Sequence, residues 1–476
     1  MEFETVIGLE VHVELRTRTK IFCGCAVEFG AAPNSRVCPV CLGSPGVLPV
    51  LNEEALKLGI RAALALSCEV RLSSKFDRKN YFYPDSPKAY QISQYDEPIG
   101  EHGCVMIAGT SAPRSIGITR IHLEEDAGKL THSPFGDASL VDLNRVGIPL
   151  IEIVSEPDLR TPDEARQYLE ELKSILQYCG VSDCRMEEGS LRCDANISLR
   201  PVGQTTLGTK TELKNMNSFR NVVRGLEYEQ ERQRAVLLAG GAVVQQTLRF
   251  DEATGTTIVM RSKEDAHDYR YFPDPDLPRI ELTQAYLDAR RAEIPELPAQ
   301  MRARFEQVYG LPAYDSLVLT STQGLARYFD VAASQARDPK AVSNWLMGDV
   351  LGYLKEMSQE IDTQLMRPEQ LAQLLRLIDD GTISTKIAKT VLRDMMTSGQ
   401  DASAIIEQQG LVQISDEAAL REIAERVIAA NPKSVEDWRA GKEKALGSLV
   451  GQMMKETKGK ANPQLVNRLI ADMLRE

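Results

Sequence analysis

The chain has 476 residues, too many for one ordinary core, so two to four domains are expected. Hydrophobic residues make up 43% and charged residues 26%, which is globular usage, and no apolar run approaches the roughly 18 residues of a transmembrane helix. The net charge of −12 excludes a protein that coats nucleic acid through bulk electrostatics, while leaving room for a local basic patch.

In chain order, Met1–Glu10 has no basic segment followed by a long apolar stretch, so no signal peptide and a cytoplasmic location are expected. The first predicted strand runs through Val6-Ile7-Gly8-Leu9-Glu10-Val11-His12-Val13-Glu14-Leu15. Its odd positions are apolar, and its even positions carry Glu10, His12 and Glu14 on one face, successive side chains about 7 Å apart. Two carboxylates flanking an imidazole suit a metal or proton-transfer face, although a solvated outer face has the same pattern. Next come Cys23 and Cys25 as C-x-C, twelve residues, then Cys38 and Cys41 as C-x-x-C. The nine cysteines and the missing export signal predict reduced thiols, and these four fit a closed, structural Cys₄ zinc site.

The segment Lys75-Phe76-Asp77-Arg78-Lys79-Asn80-Tyr81-Phe82-Tyr83-Pro84 mixes cations with aromatic rings, as does His267-Asp268-Tyr269-Arg270-Tyr271-Phe272-Pro273-Asp274. Such mixtures stack on bases or a ribose, and more often simply pack a loop. Residues 116–126, Ile-Gly-Ile-Thr-Arg-Ile-His-Leu-Glu-Glu-Asp, set a second histidine beside carboxylates. Alternation puts His122 with Glu124, and Leu123 with Glu125, and leaves open which glutamate serves a site. Glu152 interrupts the run Leu150–Val154, where a carboxylate needs a partner, a cation or water. A helix is predicted to follow, with Thr161 as N-cap, Pro162 at N1 and Glu164 closing a capping box.

Two later runs have one design. Arg192, Asp194, Asn196, Ser198 and Arg200 alternate with apolar residues, and Lys210, Glu212 and Lys214 alternate after a turn at Pro201-Val202-Gly203. Paired as a hairpin, they bring Arg and Asp beside Lys-Glu-Lys, a lining that suits phosphates and a magnesium ion as well as plain cross-strand ion pairs. At Ile294-Pro295-Glu296-Leu297-Pro298 strand-like alternation gives way to helical spacing. The expected fold class is therefore α+β: a mainly antiparallel β domain over 1–293, an all-α domain over 294–408 and a small all-α tail domain over 409–476. A tail helix is expected from Ser415, striped by Leu420, Ile423, Ala424, Val427 and Ile428 and ended by Asn431-Pro432. From Lys433 onward nine Lys or Arg face six Asp or Glu, and Lys455, Lys458 and Lys460 surround Gly459 in a predicted loop suited to phosphate contact.

These motifs together resemble the B subunits of the bacterial GatCAB aspartyl/glutamyl-tRNA amidotransferases over essentially the whole chain. The stretch Val141-Asp142-Leu143-Asn144-Arg145-Val146-Gly147-Ile148-Pro149-Leu150-Ile151-Glu152-Ile153 looks like the family's signature. Val6 to His12, His122 to Lys129 and Thr211-Glu212-Leu213-Lys214-Asn215-Met216-Asn217-Ser218-Phe219 agree with it. The resemblance implies a kinase-like "cradle" domain that binds ATP, a helical domain and a tail that contacts tRNA. It implies magnesium held by His12, Glu125 and Glu152, with Glu10 and Glu124 nearby, and zinc at the four cysteines. Lys75, Lys79, Arg192, Asp194, Lys210, Glu212 and Lys214 are the candidate nucleotide-binding residues. The implied reaction is ATP-dependent phosphorylation of the side-chain carboxylate of misacylated Glu-tRNA(Gln) or Asp-tRNA(Asn), then amidation. The partner glutaminase of the GatCAB complex, its A subunit, supplies the ammonia, and a small third chain, the C subunit, makes the complex a heterotrimer. The sequence has no amidase-type Ser/Gly signature, and no Ser or Thr follows any Gly-Lys pair, so it holds no Walker A loop. The competing reading is a zinc-stabilised tRNA-binding scaffold without catalysis.

Overall fold

The computed structural model describes residues 2–110, 112–133, 136–262, 268–412, 417–442, 444–457, 461 and 463–475. The chain divides into two compact units, 1–298 and 299–476. In the first unit, nine strands form one sheet: β1 (Phe3–Glu14), β2 (Glu69–Val70), β3 (Gly100–Ile107), β4 (Arg114–Glu125), β5 (Pro149–Ser155), β6 (Leu191–Pro201), β7 (Thr211–Met216), β8 (Gln246–Asp251) and β9 (Thr256–Ser262). The spatial order is β9-β8-β7-β6-β1-β5-β4-β3-β2, so the N-terminal strand lies at the centre. Every pairing is antiparallel except β7 with β8. That parallel pair needs a crossover, and helix α3 (Phe219–Leu238) supplies it.

One face of the sheet is sealed. Ile7, Leu9, Val11 and Val13 are each at most 1% exposed, and Ile121, Ile151, Ile153, Ala195, Ile197 and Leu213 join them in one core. Against this face pack helix α1 (Glu53–Ala65), through Ala55, Leu58 and Ala62, helix α2 (Pro162–Tyr178), through Ala165, Tyr168, Leu169 and Leu172, and α3, through Val222 and Leu226. Each large aliphatic side chain buried there contributes about 1.5–3 kcal/mol. Because strand side chains alternate, the residues between them all point to the opposite face, which no helix of this core covers.

Local signals explain the helix starts. The Thr161 hydroxyl accepts from Glu164 N at 3.1 Å, as expected of an N-cap. The capping box is not closed in the expected way. Glu164 instead accepts from Arg160 N at 2.8 Å, one residue before the cap, and from the Arg114 guanidinium at 2.8 Å. In the second unit every described element is helical. Leu420, Ala424, Val427, Leu449, Met453, Val466, Leu469 and Ile470 form a core of their own. The expected tail helix spans Glu417–Ala430, and Asn431 separates it from the next helix, Pro432–Arg439. Its expected start, Ser415, lies outside the described residues. Lys455 is not in a loop: it occupies the last turn of the helix Lys444–Glu456, whose buried stripe Ala445, Leu449 and Met453 carries it past Gly451. Lys458 and Lys460 lie outside the described residues, as does His267.

Candidate functional site

The face of the sheet opposite these helices carries a row of polar side chains across four strands. In register, Arg192 on β6 pairs with His12 on β1, His12 with Glu152 on β5, and Glu152 with His122 on β4. Glu124 stands two residues beyond His122 and returns to the same cluster. His12 Nε2 lies 3.4 Å from Glu124 Oε1 and 3.4 Å from Glu152 Oε2, and His122 Nε2 lies 3.2 Å from Glu152 Oε2. His122, Glu124 and Glu152 are all buried.

Two carboxylates held this close in a buried setting demand positive charge. Burial works against ionisation of both glutamates, but the two imidazoles override it and hold both carboxyls below their ordinary range. Burial likewise opposes charging of His122, and the glutamates overcome it, pushing its imidazole up to about 9. Lys79 adds to this field. Burial would lower its ammonium, yet Glu124, Tyr271 and Glu152 raise it. One ligand atom each from His12, Glu124 and Glu152 lies within 4.8 Å of the others, so the three can converge on one cation. Two anionic oxygens and one imidazole fit a divalent ion, which would supply the positive charge that the paired carboxylates demand.

Glu125 lies outside this group. Its side chain points to the other side of β4, where Lys88 donates to it and Ile92 N donates at 2.8 Å. Alternation alone accounts for the difference, because His122 and Glu124 share a face and Glu125 does not. The arrangement therefore puts Glu124, and not Glu125, beside His12 and Glu152.

Around the cluster, Asn196 Nδ2 donates to Glu10 Oε1 at 3.0 Å. Burial raises the Glu10 carboxyl, reinforced by Glu152 and Glu212. The expected hairpin forms, with Asn196 opposite Glu212. Lys214 lies 2.9 Å from Glu212 and also binds Asp194. Arg192 Nη2 donates to Asp126 Oδ2 at 2.7 Å. Lys75 is taken up by Asp77 and Asp96. Lys210 is exposed and lines the rim of a cavity of about 270 Å³, together with Val6, Gly8, Glu10, Pro157 and Asn196. Sequence reasoning assigned no site role to His122, Lys88 or Asp126. The sequence signal for His122 was its shared parity with Glu124, whereas the other two take their partners from distant segments.

The four cysteines also converge, with all four sulfurs within 4.8 Å of one another. Tetrahedral zinc at about 2.3 Å needs sulfurs roughly 3.8 Å apart, so the set fits. Cys38 N donates to Cys41 Sγ at 3.2 Å, and the buried Lys20 ammonium lies 3.6 Å from the same sulfur. A hydrogen bond from Cys23 brings Cys41 down to about 4, and burial lifts Cys25 to about 11. Zinc binding requires thiolates, so a metal held here would displace the thiol protons.

This sheet is the catalytic domain shared by GatB and GatE proteins, whose family description matches residues 5–288, while the description of the GatB domain matches 327–474. The chain is 58% identical over 473 residues to the B subunit of the aspartyl/glutamyl-tRNA(Asn/Gln) amidotransferase of Brevibacillus brevis, covering 99% of both chains. It is 57% identical over 479 residues to the protein of that name from Carboxydothermus hydrogenoformans, with 99% of both covered. The Moorella thermoacetica protein of the same name is 58% identical over 476 residues, with 100% of both covered. The chain belongs to the GatB family of tRNA amidotransferase subunits.

Proposed function

We propose that the protein activates the side-chain carboxylate of Glu-tRNA(Gln), Asp-tRNA(Asn) or both with ATP, and that ammonia then converts the activated group to an amide. The observation that carries this reading is the convergence of half-buried His12 with the buried carboxylates Glu124 and Glu152 on the sheet face opposite the helices. A carboxylate is a poor electrophile because its leaving group would be oxide. Attack of its oxygen on the γ-phosphorus releases ADP and gives an acyl phosphate, from which phosphate leaves when ammonia attacks the carbonyl carbon. Magnesium held by His12, Glu124 and Glu152 would neutralise phosphate charge. Lys79, Arg192 and Lys214 are cations already paired with, or lying in the field of, carboxylates, so they can exchange those partners for phosphate oxygens without large movement. The cavity beside Gly8 and Glu10 offers room for the nucleoside, with Lys210 at its rim. Glu10, held by Asn196 and raised by burial, suits the proton that the attacking ammonia sheds.

A glutaminase, the A subunit of the GatCAB complex, supplies the ammonia, and the small C subunit makes that complex a heterotrimer. The amidotransferase name and B designation shared by the relatives support this assembly. The four cysteines hold a structural zinc. Residues 1–293 form the cradle, 294–408 a helical domain and 409–476 a tail that touches tRNA through Lys455, Lys458 and Lys460. The separate core at Leu420–Leu474 supports a distinct tail. Among the described residues no helix is long and apolar enough to cross a membrane, and the reaction belongs in the cytoplasm with its tRNA.

The test is ATP hydrolysis by the purified GatCAB heterotrimer, with and without Glu-tRNA(Gln) or Asp-tRNA(Asn). Hydrolysis that needs charged tRNA and is lost in His12→Ala is expected. Failure with both tRNAs would overturn the activating role and favour a non-catalytic scaffold.

A further inference from the structure

Two segments about 190 residues apart bring an unusual set of rings together next to the carboxylate cluster. The short strand Asp77–Asn80 pairs antiparallel with Phe272–Pro273, Phe272 opposite Arg78. This pairing aligns five tyrosines in a continuous ladder. Tyr83 stacks on Tyr81 at 5.6 Å between ring centres, with planes 22° apart. Tyr81 lies 6.5 Å from Tyr269, Tyr269 lies 6.1 Å from Tyr271, and Tyr271 stacks on Tyr95 at 4.3 Å and 10°. Tyr83 is 47% exposed, Tyr95 is 58% exposed and the adjoining Phe82 is 90% exposed.

Rings of this size are not normally left in water, and core packing does not explain them, because none belongs to a buried cluster of the sheet. The ladder is also tied to the reaction centre. Lys79 Nζ sits 4.8 Å from the Tyr269 ring centre and lies in the field of Glu124 and Glu152. An open strip of rings flanked by Lys79 and the exposed Arg270 is the design by which proteins hold unpaired nucleotides, since every base has a face to stack and every phosphate attracts a cation. The alternative occupant is the adenine of ATP. A nucleoside has concave room elsewhere, in the cavity beside Gly8 and Glu10. That cavity is lined by Glu10, whereas the ladder reaches the cluster at Glu124, which accepts from Ser93 at 3.4 Å on the strand paired with Asp77–Asn80. Phosphoryl donor and acceptor would thus reach the cluster by separate routes, one at Glu10 and one at Glu124.

We infer that the ladder Tyr83–Tyr81–Tyr269–Tyr271–Tyr95 is a stacking platform for the unpaired 3′ end of the tRNA, and that it delivers the aminoacyl group to the carboxylate cluster. This inference rests on the tRNA-dependent reading above.

The test uses the intact heterotrimer and two RNAs, full-length tRNA(Gln) and the same tRNA lacking its last three nucleotides. Tyr83→Ala and Tyr95→Ala remove exposed rings, and Tyr83→Phe and Tyr95→Phe keep the ring without the hydroxyl. Each alanine variant is expected to weaken binding of full-length tRNA about tenfold, the phenylalanine variants to restore it, and the shortened tRNA to bind all of them alike. ATP affinity should not change. Unchanged binding of full-length tRNA, or equal weakening toward both RNAs, would overturn the platform. Weakened ATP binding with tRNA binding intact would assign the rings to adenine and overturn it too. Wild-type hydrolysis that lacks tRNA dependence would count against the underlying function. Dependence that persists beside alanine variants that bind normally would count against the platform alone.

Discussion

Glu124 and Glu125 are adjacent and chemically identical, yet strand geometry gives them different partners. Glu124 meets His12, while Glu125 is held by Lys88 and Ile92 N. Glu124→Gln is therefore expected to weaken divalent-ion binding at least about tenfold, and Glu125→Gln to leave it unchanged. Manganese titration of the nucleotide-free heterotrimer, followed by electron paramagnetic resonance, reads this directly. The reverse ranking would move the third ligand to Glu125. Period-2 alternation makes the site legible on β1, because it sets Glu10, His12 and Glu14 on one face. The alternation that links His122 with Glu124 was equally visible. What the sequence lacked was the register of β4 against β5, because nothing local dictates which strands of a nine-stranded sheet become neighbours. Lys75 illustrates the same limit, since its partner Asp96 is 21 residues away and only the fold brings it near.

At the scale of elements, the cysteine knuckle and the helix caps were readable because each is local. Thr161 and Pro162 mark a helix start by their own chemistry, and C-x-C with C-x-x-C closes a loop short enough to wrap a metal. The knuckle is expected to hold one zinc per chain, measurable by elemental analysis, with Cys38→Ser abolishing it. Full zinc occupancy in that variant would remove Cys38 from the ligand set. In the second unit the helices Pro298–Tyr309 and Gln323–Gln335 are clamped by Asp330, which accepts from Arg304 Nη1 at 2.8 Å, Nη2 at 2.9 Å and the Tyr309 hydroxyl at 2.7 Å. Burial opposes the ionised form, but these donors prevail and hold the carboxyl below its ordinary value. A depressed folded value means the stabilisation is complete above the unfolded value near 3.9 and is lost as pH falls through the folded one. The pair is partly exposed, so Asp330→Asn should cost only about 1 kcal/mol at pH 7. The deficit should shrink below about pH 4. Denaturant unfolding at both pH values checks this, and a deficit that does not change with pH would mean that the clamp acts through shape and not charge.

For the whole molecule, charge poses the main constraint. A chain with net charge −12 must bind a polyanion, so its affinity has to come from a few placed cations working against a repulsive background. The two compact units were legible as a change of texture near Pro298, from alternating to helical spacing. The basic tail was legible only as composition, and its expected loop proved to begin with a helical residue at Lys455. If Lys455, Lys458 and Lys460 each neutralise one phosphate, the triple alanine variant should reduce the slope of log affinity against log salt by about one per lysine. Its affinity for ATP should be unaltered, because the proposed nucleotide-binding side chains all belong to the first unit. Filter binding of tRNA to the heterotrimer across a salt series measures the slope. A weakened complex with an unchanged slope would mean that the lysines hold the tail's shape and touch no phosphate. An unchanged affinity and slope would shift tRNA docking away from these lysines, and the acidic chain would then need its counter-charge from another part of the heterotrimer.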